Sequence, residues 1–136
     1  MKTQFNKNYK DIVSLENLLE AWQEFLPGKG KKKDVQLFAK ELFMNLRNLH
    51  KDLKDKTYRH SDYTSFNISD PKQRNIHKAQ VRDRVLHHAI YRKLYPFFDK
   101  TFIADSYSCR VGKGTHKAIK RFESFGRHAW FGTPQM

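Results

Sequence analysis

Four basic side chains in the second half of the sequence have the type and spacing to bind phosphate. Lys72 and Arg74 follow a Ser-Asp-Pro turn signal, and Arg110 and Lys113 stand on either side of Gly112. The guanidinium group of arginine is a planar fork of donors that can hold two phosphate oxygens at once. On a hairpin and a nearby loop, these cations could close over a polyphosphate. The same residue types also suit a generic basic surface.

The segment GKGT at residues 112–115 matches only the Gly-Lys end of a phosphate-loop motif. The Walker A motif requires a glycine five positions before its Gly-Lys pair, and Tyr107 occupies that position. The sequence therefore excludes a P-loop nucleoside triphosphatase. Two alternatives stay open at Gly112 and Gly114: an anion bound by free N–H groups at a helix start, or a simple capped turn.

Metal and nucleophile chemistry have no support from residue spacing. Neither zinc-finger nor H-E-x-x-H spacing occurs among the histidines His77, His87, His88 and His116. The single Cys109 has no positioned base near it, so we expect a small buried apolar side chain. Asp83, between two arginines, is expected to form a structural ion pair or cap. The sequence predicts no catalytic residue and no metal ligand in this chain.

The charge balance indicates a polyanionic partner. The 136 residues carry a net charge of +13, and residues 71–122 hold thirteen Lys or Arg against three Asp. Nucleic acid is the first candidate and an anionic membrane the second, and we expect RNA and no membrane. No apolar run approaches the roughly 18 residues that span a bilayer, and the N-terminus lacks a signal core. A cytoplasmic protein of one domain is the expectation.

The first half of the chain has the periodicity of two helices. A helix is predicted over Ser14–Phe25, with Ser14 as its cap and Pro27 and Gly28 after its end. A longer helix is predicted over Val35–Leu53, with Asp34 as its cap. The GKGKKK loop between them is either a solvated linker or a grip on an RNA backbone.

The second half is predicted to begin with a β-hairpin. Residues 58–76 contain β-formers on both sides of a turn at Ser69–Lys72. The return strand would hold Lys72, Arg74 and Ile76 on one face.

Two helices and an apolar segment are predicted after the hairpin. One helix covers Val81–Leu94 and is ended by Pro96, and an apolar plug follows at Phe97–Ile103. The last helix covers Thr115–Phe125 with Thr115 as its cap. Its inward-facing residues would be Ala118, Ile119, Phe122 and Phe125.

Several short motifs, in this order, resemble the fingers region of prokaryotic reverse transcriptases. These are R-x-I at Arg74, V-R-D-R-V at Val81–Val85, P-F-F-D at Pro96–Asp99, F-I-A-D-S-Y at Phe102–Tyr107 and C-R-V-G-K-G-T-H at Cys109–His116. The enzymes of group II introns, retrons and diversity-generating retroelements belong to this family. The resemblance implies an α+β, helix-rich fold: a helical extension at residues 1–54, fingers with a short hairpin at 55–126, and a divergent tail at 127–136.

The resemblance also implies a role for each matching cation. Lys72 and Arg74 would contact a nucleotide triphosphate. Template RNA would be held by Arg82, Arg84, Arg110, Lys113 and Lys117. The family's palm, with a Y-x-D-D motif that binds Mg²⁺ in the complete enzyme, has no counterpart here.

The expected function is therefore that of a fingers fragment of an RNA-directed DNA polymerase. Such a fragment would bind an RNA or RNA/DNA template-primer and a nucleotide triphosphate, and would be inactive alone because the palm aspartates are missing. A frameshift or premature stop would explain the missing palm. Two alternatives stay open: a stand-alone basic RNA-binding or regulatory module, and one subunit of a split enzyme whose palm is a separate chain.

Overall fold

A computed structural model describes residues 4–131 of the chain. Its elements in chain order are α1 (Tyr9–Val13), α2 (Leu15–Phe25), α3 (Lys33–Lys40), α4 (Leu42–Lys54), β1 (Thr64–Ile68), β2 (Arg74–Lys78), α5 (Val81–Asp99) and α6 (Thr115–Phe131). The two strands pair in antiparallel fashion. The helix-rich α+β class with one hairpin is thus confirmed. None of the described helices is long and apolar enough to cross a membrane.

The chain divides into two compact units, Met1–Tyr95 and Pro96–Met136. The buried apolar core among the described residues lies in the first unit. Its members come from α1 to α5 and are Val13, Leu18, Ala21, Trp22, Phe25, Val35, Leu46, Leu49, Leu53, Val81, Val85, Leu86 and Ala89. Burial of these side chains is the main favourable contribution to the stability of this unit.

The predicted start and end of helix α2 are confirmed. The Ser14 side chain accepts a hydrogen bond from the Asn17 backbone N–H at 3.2 Å, as an N-cap does. Gly28, just beyond the end, has φ +77°, a conformation that glycine adopts without a steric penalty. Leu18, Trp22 and Phe25 form the buried face, as their spacing predicts.

The long helix predicted over residues 35–53 is wrong, because the chain breaks at Glu41 into α3 and α4. Glu41 is non-helical, with φ −120° and ψ 41°. The break turns the Phe38 ring toward Trp22, with 5.2 Å between their centroids, and leaves Ala39 exposed. The Asn45 amide donates to the Phe38 carbonyl at 2.9 Å, which satisfies an acceptor at the end of α3. Local periodicity did not show this break, since apolar residues recur on both sides of it.

Asn17 is a polar side chain buried within the apolar core. Its amide nitrogen donates to the carbonyls of Ile12 at 2.7 Å and Ala89 at 3.2 Å. Its oxygen accepts a hydrogen bond from Arg92 at 2.5 Å. These three bonds join α2 to Ile12 of α1 and to α5. They also satisfy the hydrogen-bonding groups of an amide that would otherwise be costly to bury.

Asp83 is the second buried polar side chain among the described residues, with no exposed surface. One carboxylate oxygen accepts from the Tyr58 hydroxyl and the other from the Ser61 backbone N–H at 3.1 Å. Partial burial and the bond to Asp83 raise the pKa of Tyr58 above its usual value. Asp83 thus holds the segment after α4 against α5, rather than capping a helix.

The proline at position 96 does not end α5, which continues through it to Asp99. Pro96 lacks only the N–H that would bond to the Arg92 carbonyl, and a single further turn follows it. The predicted apolar plug is also wrong. Phe98, Phe102 and Ile103 are all exposed, with Ile103 at 75%.

Helix α6 differs from its predicted form at both ends and along its face. Gly114 rather than Thr115 is its N-cap, because the Gly114 carbonyl accepts the first helical bond, from Ala118 N–H. The helix continues to Phe131 instead of ending at residue 125. The side chains predicted to face inward include three that are half exposed or more: Ile119, Phe122 and Phe125. The predicted tail at 127–136 therefore begins within α6, and its residues 132–136 lie outside the described residues.

Candidate nucleic-acid interface

The β-hairpin carries a basic and aromatic face exposed to solvent. The strand register pairs Phe66 with Ile76 and Ile68 with Arg74, which places these four side chains on one face. Phe66 is 43% exposed and Ile68 38% exposed. Arg74 is exposed and has no hydrogen-bond or ion-pair partner among the described residues. We call Phe66, Ile68, Arg74 and Ile76, together with the nearby Lys72, the hairpin face.

Lys72 precedes β2 rather than lying within it, which corrects the predicted return strand. Strand β2 begins at Arg74, and Lys72 belongs to the connection between the strands. Its ammonium group is exposed and has no partner among the described residues. Lys72 and Arg74 are thus two uncommitted cations at one end of the hairpin face.

Asp34 anchors the other end of the hairpin. Its Oδ2 accepts from Lys78 Nζ at 2.8 Å and from Arg84 Nη2 at 2.7 Å, so it joins α3, β2 and α5. Partial burial opposes the ionisation of Asp34, but hydrogen bonds from Lys78 and the Val35 backbone outweigh it and lower the pKa. The Asp34 carboxylate is therefore a positioning group for the hairpin, and not the helix cap that its sequence position predicts.

The lowered pKa of Asp34 predicts a specific pH dependence of stability. A carboxyl group whose folded pKa lies below its ordinary value of 3.8 stabilises the fold fully above that value. The contribution is lost as the pH falls through the lower, folded pKa. We expect Asp34→Asn to unfold at lower urea concentration than wild type at neutral pH, and the difference to disappear once the pH falls below the folded pKa of Asp34. Asp62→Asn, at an exposed carboxyl group that has no side-chain partner among the residues the structure describes, should match wild type throughout.

Arg82 and Arg84, both predicted to touch RNA, are held by carboxylates of the first unit. Arg82 pairs with Asp52, and its guanidinium lies 5.2 Å from the Tyr58 ring centroid. Arg84 pairs with Asp34 and lies 5.3 Å from the Phe25 ring. Both side chains are less than one third exposed. Both guanidinium groups are held by carboxylates within the fold, which leaves them less able to contact a phosphate.

Arg110 is still more deeply committed, within the second unit. Its guanidinium donates to the Asp99 carboxylate at 2.8 Å and to the backbone carbonyls of Asp99, Ile103 and Ser106. The side chain is only 9% exposed. Arg110 thus ties the end of α5 to the loop that follows it.

The other two predicted cations of this unit differ from each other. Lys113 donates to the Ala104 carbonyl and lies 5.1 Å from the Tyr107 ring centroid. Lys117, on α6, is exposed and has no partner among the described residues. Only Lys117 therefore presents an uncommitted charge in the second unit among the predicted RNA-binding residues.

Sequence reasoning missed the aromatic part of the candidate interface. Phe66 was expected only as a β-former, and no signal in the sequence shows that its ring lies outside the core. A stack of rings beside the hairpin was also missed: His60 lies 4.9 Å from Tyr63 and 5.3 Å from His87. Cys109, expected to be buried, is exposed. No group of three potential metal ligands occurs among the His, Cys, Asp and Glu side chains that the structure describes.

The chain matches no family model. Among curated proteins it is similar to a kynurenine 3-monooxygenase from Cytophaga hutchinsonii, with 33% identity over 95 residues. This alignment covers 64% of the chain but only 20% of that protein. The chain thus spans about one fifth of the length of the curated relative that it matches.

The resemblance to reverse transcriptases is corrected by these comparisons. The similarity that they give is to a different kind of protein, and nothing in them supports the reverse transcriptase family. The Mg²⁺ ion, the triphosphate and template roles and the separate palm chain were implied by that resemblance alone. The residue-level prediction of a phosphate-facing basic surface does not depend on it.

Proposed function

We propose that the chain is a basic RNA-binding module that holds single-stranded RNA on the hairpin face. Lys72 and Arg74 contact phosphate groups, and a base stacks on the exposed ring of Phe66. Proteins that bind single strands combine these two contacts, because a cation tracks the backbone and an aromatic ring accepts any base. Binding of this kind has little sequence preference.

One observation carries the proposal: the two cations of the hairpin are uncommitted, and Arg74 shares a strand face with the exposed ring of Phe66. Arg82, Arg84 and Arg110 have carboxylate partners, whereas Lys72 and Arg74 have none among the described residues. A net charge of +13 would attract any polyanion to the chain. The similarity to kynurenine 3-monooxygenase covers one fifth of that protein, and its activity forms no part of this proposal.

Fluorescence anisotropy of a labelled, unstructured RNA 20-mer between about 50 and 300 mM salt tests the proposal. Wild type should lose affinity steeply with salt. Lys72→Ala/Arg74→Ala should flatten the slope of log Kd against log salt by roughly 1.4, since each phosphate contact on a single strand contributes about 0.7. Phe66→Ala should weaken binding by about 10-fold with the slope unchanged, because stacking releases no counterions.

The matched control is Lys40→Ala/Arg47→Ala, which removes one lysine and one arginine from exposed positions on α3 and α4. Equal losses of affinity in the two double variants would mean that net charge alone drives binding, and the hairpin site would be abandoned. Competition by ATP at the same salt distinguishes a triphosphate site from an RNA site, since ATP offers phosphates without a second base to stack. Displacement of RNA by equimolar ATP would contradict the RNA-binding proposal.

A further inference from the structure

A cavity of about 450 Å³ opens in the first unit, and none of its lining residues belongs to the hairpin face. Small-molecule sites in proteins range from about 300 to 1,000 Å³. The wall is mainly aliphatic and comes from the chain near α1, α4 and α5. Its lining residues are Tyr9, Ile12, Val13, Leu53, Lys56, Tyr58, Leu86 and Ile90.

The polar atoms of the two tyrosines in this wall are already used. The Tyr9 hydroxyl donates to the Leu53 carbonyl at 2.6 Å, and the Tyr58 hydroxyl donates to Asp83. Lys56 is the one charged side chain of the lining, and its ammonium group has no partner among the described residues. The cavity thus presents an apolar wall with a single unused cation.

A second cavity of about 440 Å³ adjoins the first and shares Tyr9, Val13 and Lys56 with it. Its lining adds Lys10 and Lys54 and includes no acidic residue. The combined lining therefore carries three lysines and no acidic side chain. A ligand with one anionic end and an apolar body would complement this charge and this wall.

The backbone of Lys56 supports a role for its side chain. Lys56 has φ +58°, in the left-handed region that favours glycine. It follows α4 in a Schellman ending, with bonds from Lys56 N–H to the Leu53 carbonyl and from Thr57 N–H to the Asp52 carbonyl. Glycine is the usual residue at this position. Residues other than glycine that keep such a strained backbone conformation occur more often at ligand-binding sites.

We propose that this cavity binds an amphiphilic monocarboxylate, with its alkyl chain against Ile12, Leu53 and Leu86 and its carboxylate on the Lys56 ammonium. The site is separate from the hairpin face, and this inference does not depend on RNA binding. Lys56 is both the anion contact and a residue with a strained backbone. We therefore expect replacement of Lys56 by glycine to weaken ligand binding and to raise stability.

Isothermal titration of the full chain with decanoate tests the inference, with decyltrimethylammonium as a ligand of similar chain and opposite charge. Lys56→Gly should weaken decanoate binding by about 10- to 100-fold, since a charge-assisted contact is lost. The same variant should melt about 4 °C higher than wild type, because glycine relieves the backbone strain. Lys56→Ala should lose binding without this rise.

A control is needed for anionic amphiphiles that bind elsewhere on a basic protein. Lys120→Ala removes the same charge beside the exposed aromatic residues of α6 and should bind decanoate as wild type does. The inference is overturned if Lys56→Gly binds decanoate like wild type, or if decyltrimethylammonium binds as tightly as decanoate. The inference is also overturned if wild type binds decanoate with a Kd weaker than about 1 mM.

Discussion

Asp83→Ala is expected to lower the free energy of unfolding by about 3 kcal/mol, measured by urea denaturation with far-UV circular dichroism. The Asp83 carboxylate is buried and accepts hydrogen bonds from the Tyr58 hydroxyl and the Ser61 backbone N–H. Without it, the Tyr58 hydroxyl and the Ser61 N–H, both in a partly buried region, lose their acceptor. An unpaired buried donor costs more than the hydrogen bond itself contributes, which is why the expected loss is large.

Matched variants separate this effect from a general loss of charge. Asp62→Ala removes an exposed carboxylate close by in the sequence and should change stability by less than about 0.5 kcal/mol. Tyr58→Phe removes the hydroxyl of the phenol alone. The double variant Tyr58→Phe/Asp83→Ala should then lose less than the sum of the two single losses, because the two groups share one bond. Additive losses would mean that the Tyr58–Asp83 bond contributes nothing.

Arg110→Ala is expected to increase amide hydrogen exchange about 10- to 100-fold across residues 100–113. The guanidinium holds this loop by bonds to Asp99, Ile103 and Ser106. The apolar side chains of the loop offer little replacement, since Phe102 and Ile103 are exposed. Arg110→Lys should increase exchange almost as much, because an ammonium group cannot supply the planar set of donors.

RNA affinity gives the contrasting readout for Arg110. If the side chain is structural, Arg110→Ala should weaken RNA binding no more than Arg127→Ala, which removes an exposed charge from α6. A much larger loss of affinity with unchanged hydrogen exchange would contradict the structural role. It would instead support the role in RNA binding predicted from the sequence.

Local sequence signals predicted those parts of the fold that local interactions decide. Ser14 caps α2 because a side-chain oxygen three residues before a free N–H needs no distant partner. The turn after Ile68 and the β-formers beside it likewise indicated the hairpin. Glu41 shows the limit, since the break there accompanies the packing of Phe38 against Trp22, which local periodicity does not report.

The candidate site was harder to predict, because the sequence gives the number of cations and not their partners. Arg84 and Asp34 are 50 positions apart, and Arg82 and Asp52 are 30 apart. No spacing rule connects residues so distant, so both arginines looked as available as Lys72. Short basic and aromatic motifs also suggested a family that the comparisons do not support, since such residues recur in many helix-rich basic chains.

The exposure of the apolar residues on α6 could not be predicted from the sequence either. Ile119, Phe122 and Phe125 have the spacing of a buried helix face, yet all are at least half exposed. Periodicity indicates which residues share a side of a helix. It does not show whether another part of the protein packs against that side. The same limit concealed the cavity at Lys56, whose wall combines residues from widely separated segments.

Asn17 has a consequence for the uniqueness of the packing. The core helices meet through aliphatic side chains such as Leu18, Leu46 and Leu49, and these would tolerate many relative shifts at similar energy. The Asn17 side chain tolerates one arrangement, in which its amide reaches the Ile12 and Ala89 carbonyls and its oxygen reaches Arg92. A shift of α2 by one turn would break these hydrogen bonds and leave the buried Asn17 amide without partners. Asn17 therefore selects a single native alignment from many that the apolar core alone would allow.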